Sequence, residues 1–176
     1  MSDMPNFLDN YNQLVARIDA LCETIQASLR EQITCSEGCS SCCTAITIFP
    51  VEAAALRAAL NKLPEQEADN IRRHISTHGN SERCPILLNH RCLLYQARPI
   101  ICRTHGLPII YTESDQRKSD CCPLNLSETG SITGSSVIDL DKLNPLLVAV
   151  NALYLSQTEN LETTERLTIV EALTKR

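Results

Sequence analysis

Cysteine is the side chain with the most chemistry to offer here, and its placement is far from random. Four thiols crowd the run Cys35-Ser-Glu-Gly-Cys39-Ser-Ser-Cys42-Cys43, and Cys84, Cys92, Cys102, Cys121 and Cys122 follow; of the ten cysteines only Cys22 stands apart. Thiolates bind soft metals, pair as disulfides or carry redox chemistry, and the spacing favours metal. A ligand loop must turn around its ion, which gaps of two to four residues do in zinc sites and gaps of two do in ferredoxin-type iron–sulfur runs. The gaps here are three and two, with Gly38 to bend the backbone and Ser36, Ser40 and Ser41 to leave room around sulfur. Cys84 and Cys122 are each followed by proline. Nine thiols suffice for two four-sulfur sites with one to spare, for a bridged polynuclear zinc centre, or for one iron–sulfur cluster beside a structural zinc. Cys42 and Cys43 point in different directions, so they serve different metal atoms, or one of them bridges.

An oxidised framework fits less well. Cysteine is about 6% of the chain (10 of 176), below the ~8–10% of short secreted disulfide scaffolds. Adjacent pairs such as Cys42-Cys43 and Cys121-Cys122 make awkward disulfides, because a trans peptide sets neighbouring Cα atoms ~3.8 Å apart with diverging side chains. The polar, acidic start has no basic stretch leading into an apolar run, and no segment approaches the ~18 apolar residues of a membrane helix. The expected location is therefore the cytoplasm, where thiols stay reduced. A net charge of −5 with mixed signs offers no basic field to nucleic acid. Metal ions are the expected partners, with no nucleic acid and no membrane; whether a protein partner exists is left open by the sequence.

From Arg83 to Thr112 there is no Asp or Glu, yet Arg83, Arg91, Arg98, Arg103, His90 and His105 are present. A tetrathiolate zinc or a [4Fe–4S] site carries about −2 formally, which nearby guanidiniums would offset while donating hydrogen bonds to sulfur. The alternative is a solvated basic loop or an anion-binding Arg pair. The two histidines are expected around the metal ligands or at the surface.

Scarce aromatics (two Phe, four Tyr, no Trp) within 43% hydrophobic content point to packed aliphatic helices. The expected fold is mainly α: a helical bundle with a long irregular cysteine-rich metal-binding insertion. It forms one domain over 1–176, with 35–122 as the metal-binding region and helices at 6–33 and 141–175 on its flanks. Apolar residues at 7, 8, 11, 14, 15, 18, 21, 22, 25, 29 and 33 have helical spacing, and Cys22 sits on that stripe as a small core hydrophobe. Residues 46–49 are β-branched and briefly extended. Pro50 opens a helix to Leu63, and Pro64-Glu65 opens another, closed by Gly79. Helical periodicity then lapses over 80–136, where residues 107–111 and the polar run after them form a small hairpin or an irregular loop. It resumes at 141–156 and 161–174, the latter capped by Thr163 or Thr164.

Cys35-x₃-Cys39-x₂-Cys42-Cys43, then Cys84-Pro-Ile-Leu, Cys92-Leu-Leu-Tyr95 and Arg98-Pro99-Ile-Ile-Cys102-Arg103, resemble the YkgJ-type CxxCxxCC cysteine-cluster family, described as zinc- or iron-chelating domains. The likeness spans residues 35–103. It implies that Cys35, Cys39, Cys42, Cys43, Cys84, Cys92 and Cys102 belong to a metal centre, joined by one of Cys121 and Cys122. Arg98, Pro99 and Arg103 would support them. Flagellin lysine methylases carry a similar cluster, associated with iron–sulfur, in a longer chain. Cys35, Cys39 and Cys42 also satisfy the radical S-adenosylmethionine spacing, but the chain lacks the βα units and the length of that barrel. The expected function is metal binding through the nine thiols, with an iron–sulfur cluster, [4Fe–4S] foremost, or Zn2+ as cofactor. The alternative is an iron–sulfur enzyme or accessory protein for electron transfer or protein modification such as methylation.

Overall fold

The computed structural model describes residues 7–36, 38–79, 81–126, 136–158 and 165–174. Helix α1 (Asp9–Ser28) buries Tyr11, Leu14, Ile18, Cys22 and Ile25, one face of a 3.6-residue repeat. It stops short of the expected Ile33. The apolar spacing continues beyond it because the Ile33 amide still bonds the Leu29 carbonyl in the following turn.

Helix α2 (Pro50–Asn61) starts where proline's fixed φ and missing N–H suit a first helical position. It separates two cores. Ala53, Leu56 and Leu60 pack with α3 (Glu65–His78) and α6 (Ile169–Thr174), while Val51, Ala54 and Ala55 face α1 and α5 (Leu140–Gln157). Its alanines leave room for helices on both sides. Each fully buried Leu or Ile contributes about 1.5–3 kcal/mol of burial free energy, so this helix ties both cores together.

The stretch from 81 to 126 is more ordered than expected. Strands β2 (Leu87–Leu88) and β3 (Arg91–Cys92) form a hairpin around Asn89 and His90, whose φ values of 49° and 63° suit a tight primed turn. A 3₁₀ turn (Tyr95–Ala97) and the short α4 (Ile100–Thr104) follow. Strands β4 (Ile109–Glu113) and β5 (Gln116–Asp120) make the hairpin that was one of the two expectations, turning at Ser114 and Asp115. β4 also pairs in parallel with β6 (Ile138–Asp139). Ile86, Leu94, Ile100 and Leu107 from this stretch are buried in the two cores. These strands are two to five residues long, too short for a legible period.

The C-terminal expectation needs a correction. Leu167–Thr168 is a strand, β7, antiparallel to β1 (Thr47–Ile48), and helix α6 begins only at Ile169. Its cap is Thr168: the Thr168 hydroxyl accepts from the Glu171 amide at 3.1 Å, and the Glu171 carboxylate accepts from the Thr168 amide at 2.9 Å. That reciprocal pair is a capping box. The expected caps, Thr163 and Thr164, lie outside the described residues.

Candidate metal centre

All ten cysteines are free thiols. One set lies against the α2–α3–α6 core. Thr44 bridges to Arg83, and the Cys84 amide donates to the Cys43 carbonyl at 3.1 Å, so the end of the cysteine loop and the start of the β2–β3 hairpin run side by side. The Leu87 amide turns back to the Cys84 carbonyl, and Leu87 pairs with Cys92 across the hairpin. Cys84 and Cys92 pack on the core. Cys102 sits on α4. Burial pushes its thiol up first, followed by the charges of Cys84, Cys92 and Cys43. Burial likewise pushes up Cys43, Cys84 and Cys92, with each feeling a neighbour from the same set. Cys102 counts as exposed by surface area; the upward shift follows the protein atoms crowded behind the sulfur rather than its open outer face.

The second set lies around Gly106. Asn125 is 3% exposed and holds it together. Its side-chain amide donates to the Gly106 carbonyl at 2.6 Å and to Cys35 Sγ at 3.3 Å, while its Oδ1 accepts from the Thr34 amide at 2.9 Å. Gly106 has φ of +92°, and a Cβ there would come within 3.0 Å of Cys35 Sγ and 3.9 Å of Cys122 Cβ. Only glycine allows Cys35 and Cys122 to share that position. The Asn125 amide returns to the Cys122 carbonyl, and the Leu126 amide donates to the Gln32 carbonyl, which stitches the Cys121–Cys122 segment to the front of the cysteine loop. Within that loop Gly38 takes φ of +92°, the bend expected of it, and the Cys39 amide closes a turn on Ser36. Burial pushes the Cys42 thiol up, helped by the charges of Cys43, Cys39 and Cys35. Cys35, Cys39 and Cys42 are exposed; Cys121 and Cys122 are half-buried. Cys121 feels Asp120 and Cys122 beside it, after burial.

The basic residues divide in role. Arg83 donates to the carbonyls of Ser40 and Ser41 and lowers the pKa of Cys43 and Cys84 against burial. Arg98 stacks on Tyr95 at 3.8 Å and acts likewise on Cys92. His90 Nδ1 meets Ser40 Oγ at 2.8 Å, so it braces the cysteine loop; His105 is exposed at the end of α4. Arg103 departs from the charge-compensation expectation. Its buried guanidinium forks onto Asp19 of α1 at 2.6 and 2.8 Å and onto the carbonyls of Arg98 and Gln96. Asp19, 84 residues away, neutralises it.

Two buried groups went unnoticed in the sequence. Glu52, 2% exposed, accepts from the Phe49 amide at 2.9 Å and the Ile100 amide at 3.0 Å. It therefore joins the start of α2 to the start of α4, which carries Cys102. Burial raises its pKa, partly offset by those two amides. Proline at the first helical position with glutamate two residues later was the available signal. Asn125 had no signal, because its side-chain partners, Thr34 with Cys35 and Gly106, come from two distant segments. Tyr11 is buried beside this junction, and its hydroxyl is the one buried side-chain polar atom among the described residues without a hydrogen-bond partner. Cys22 is the core thiol expected of it, buried, pushed up to about 11 first by burial, with its sulfur near the Arg103 carbonyl at 3.6 Å.

Among the described residues no group of three or more His, Cys, Asp or Glu already stands in a metal-holding arrangement. No helix among them is long and apolar enough to cross a membrane. No curated protein and no solved structure matches the chain. The first gap, Cys35 to Cys39, holds one residue more than the family pattern spells. That pattern, CxxCxxCC, described as a "putative zinc- or iron-chelating domain", nevertheless matches residues 34–123, half of the chain, and the chain belongs to that family.

Proposed function

We propose that this is a single-domain metal-binding protein holding zinc or an iron–sulfur cluster, [4Fe–4S] foremost, in a compartment where thiols stay reduced. The ligands are Cys35, Cys39, Cys42, Cys43, Cys84, Cys92 and Cys102, completed from the Cys121–Cys122 pair. The observation that supports this reading is nine free thiols on a chain path that sets Cys84 beside Cys43 and brings Cys35 and Cys122 to the same glycine, Gly106. The donor set fits the metal class: it is all sulfur, which selects zinc and iron–sulfur over the oxygen-seeking magnesium and calcium.

Free thiols whose pKa values are raised by crowding and burial repel one another once ionised, and a cation offsets that repulsion. When bound, the metal supplies cross-links between segments, worth about 10 kcal/mol of folding free energy for a structural zinc at neutral pH. Arg83 and Arg98 moderate the negative charge, and His90 and Asn125 hold the loops that present the thiols.

Purification without oxygen, followed by elemental analysis and acid-labile sulfide on one sample, tests this. Brown protein with matching iron and sulfide marks iron–sulfur; colourless protein with zinc marks zinc. Protein carrying neither metal, with all nine thiols reacting freely in the native state, would sink the proposal.

A further inference from the structure

The side-chain amide of Asn125 is buried between the residue pair Thr34-Cys35 and Gly106, and its orientation is fixed. The Gly106 carbonyl, 2.6 Å away, can only accept, so the group facing it is Nδ2. The Thr34 backbone N–H, 2.9 Å away, can only donate, so the group facing it is Oδ1. Turning the amide over would set donor against donor and acceptor against acceptor, leaving buried polar groups unmatched at both contacts. Nδ2 carries two hydrogens. One goes to Gly106, and the other faces Cys35 Sγ at 3.3 Å. The sulfur lies nearer this donor than Oδ1, which is 3.8 Å away. It is therefore placed as an acceptor, the role that suits a sulfur carrying negative charge. Gly106 permits the approach: a Cβ there would come within 3.0 Å of the same sulfur and 3.6 Å of Nδ2.

We propose that Asn125 is a positioning residue for Cys35 as a metal ligand: its Nδ2–H is a fixed donor to the Cys35 sulfur, which orients that sulfur and draws charge from the metal–sulfur bond. The inference rests on the metal-binding reading above and adds what one side chain does to one ligand. Hydrogen bonds from outside the ligand set orient metal ligands and tune the metal, including the potential of an iron–sulfur cluster. This donor is preorganised, because Thr34 and Gly106 hold the two ends of the amide. The Asn125 backbone amide also donates to the Cys122 carbonyl at 2.8 Å. One residue therefore ties the Cys121–Cys122 segment to the Cys35 sulfur, although the two lie far apart in the chain.

A spin-active isotope of cadmium is the probe, as a thiophilic ion visible by NMR. Full-length protein, stripped of metal and kept reduced, is loaded with Cd2+. In wild type the Asn125 Nδ2 proton that faces Cys35 is expected to show scalar coupling to cadmium through the hydrogen bond, and the proton on Gly106 none. The Cys35 β protons are expected to couple to the same ion. Asn125→Asp keeps the oxygen that faces Thr34 and removes the donor. Loaded with Co2+, this variant is expected to show its sulfur-to-metal charge-transfer band at lower energy than wild type, with metal affinity about 10–100-fold weaker. Leu124→Ala, at an exposed position of the same segment, is expected to leave band and affinity unchanged. Bound cadmium with no coupling to the Asn125 amide, or none to the Cys35 β protons, would overturn the proposal. An Asn125→Asp band at the wild-type energy would overturn it too, since weaker affinity alone marks a merely structural tie. Should Asn125→Asp fail to fold, the couplings in wild type still decide it. Wild type that takes up no cadmium at all would instead overturn the metal-binding reading itself.

Discussion

Replacing Glu52 is the most direct way to ask what holds Cys102 in place. Its carboxylate accepts two backbone N–H groups, from Phe49 at 2.9 Å and from Ile100 at 3.0 Å, and it is 2% exposed. In Glu52→Ala both amides lose their partner. A buried donor left unsatisfied costs about 1–3 kcal/mol, so the two together cost about 2–6 kcal/mol. Part of that is returned because a buried carboxylate no longer has to be desolvated, the effect that raises its pKa. A net loss of about 2–4 kcal/mol is expected. Glu52→Gln keeps one acceptor oxygen but turns an NH₂ group toward the second amide, so about 1–3 kcal/mol is expected. Urea unfolding of the metal-free protein followed by circular dichroism gives both values. The order wild type, Gln, Ala is the test. A Gln variant within about 0.5 kcal/mol of wild type would refute the idea that this carboxylate fastens α4 to α2.

Three other outcomes are expected. Cys39→Ser is expected to lower bound metal, whereas Cys22→Ser keeps the wild-type content because its thiol lies in the α1 core; elemental analysis of the two variants decides, and metal loss in Cys22→Ser would mean the ligand assignment is wrong. Tyr11→Phe removes an orphaned buried hydroxyl without changing shape, so metal-free stability is expected to hold or rise by up to about 1 kcal/mol; a clear loss in thermal unfolding would reveal a partner for that hydroxyl. Asp139 caps α5 and pairs with Arg117 at 2.8 Å, and the Arg117 hydrogen bond leads the effects that hold its carboxyl below the ordinary value. A lowered folded value contributes stability above the ordinary carboxylate pKa and loses it as pH falls through the lowered one. The stability gap between wild type and Asp139→Asn, which keeps a capping side chain, should therefore close on acidification; a gap independent of pH would rule the ion pair out.

Helices α1, α2, α3 and α5 and the metal chemistry were legible from sequence because each is encoded within a few residues. Helical period, proline at a helix start and two- or three-residue cysteine gaps are all local. The Thr168–Glu171 capping box was equally local and simply competed with a longer apolar period. The β1–β7 pairing, the Arg103–Asp19 ion pair and the Asn125 hub were not legible, since each joins residues far apart in the chain.

Composition and spacing alone determined that this chain carries nine thiols at ligand-like spacings, a donor type that suits a soft metal. Only the tertiary structure decided which of them are neighbours. The chain path sets Cys43 beside Cys84 at the start of the hairpin, and Cys35 beside Gly106 and Cys122. That path follows from the two cores packed on either face of α2 and from single contacts, Glu52 to Ile100 and Asn125 to Gly106, that draw remote segments together. A contact of that kind leaves no period in the sequence, because its energy depends on where the backbone has already been placed.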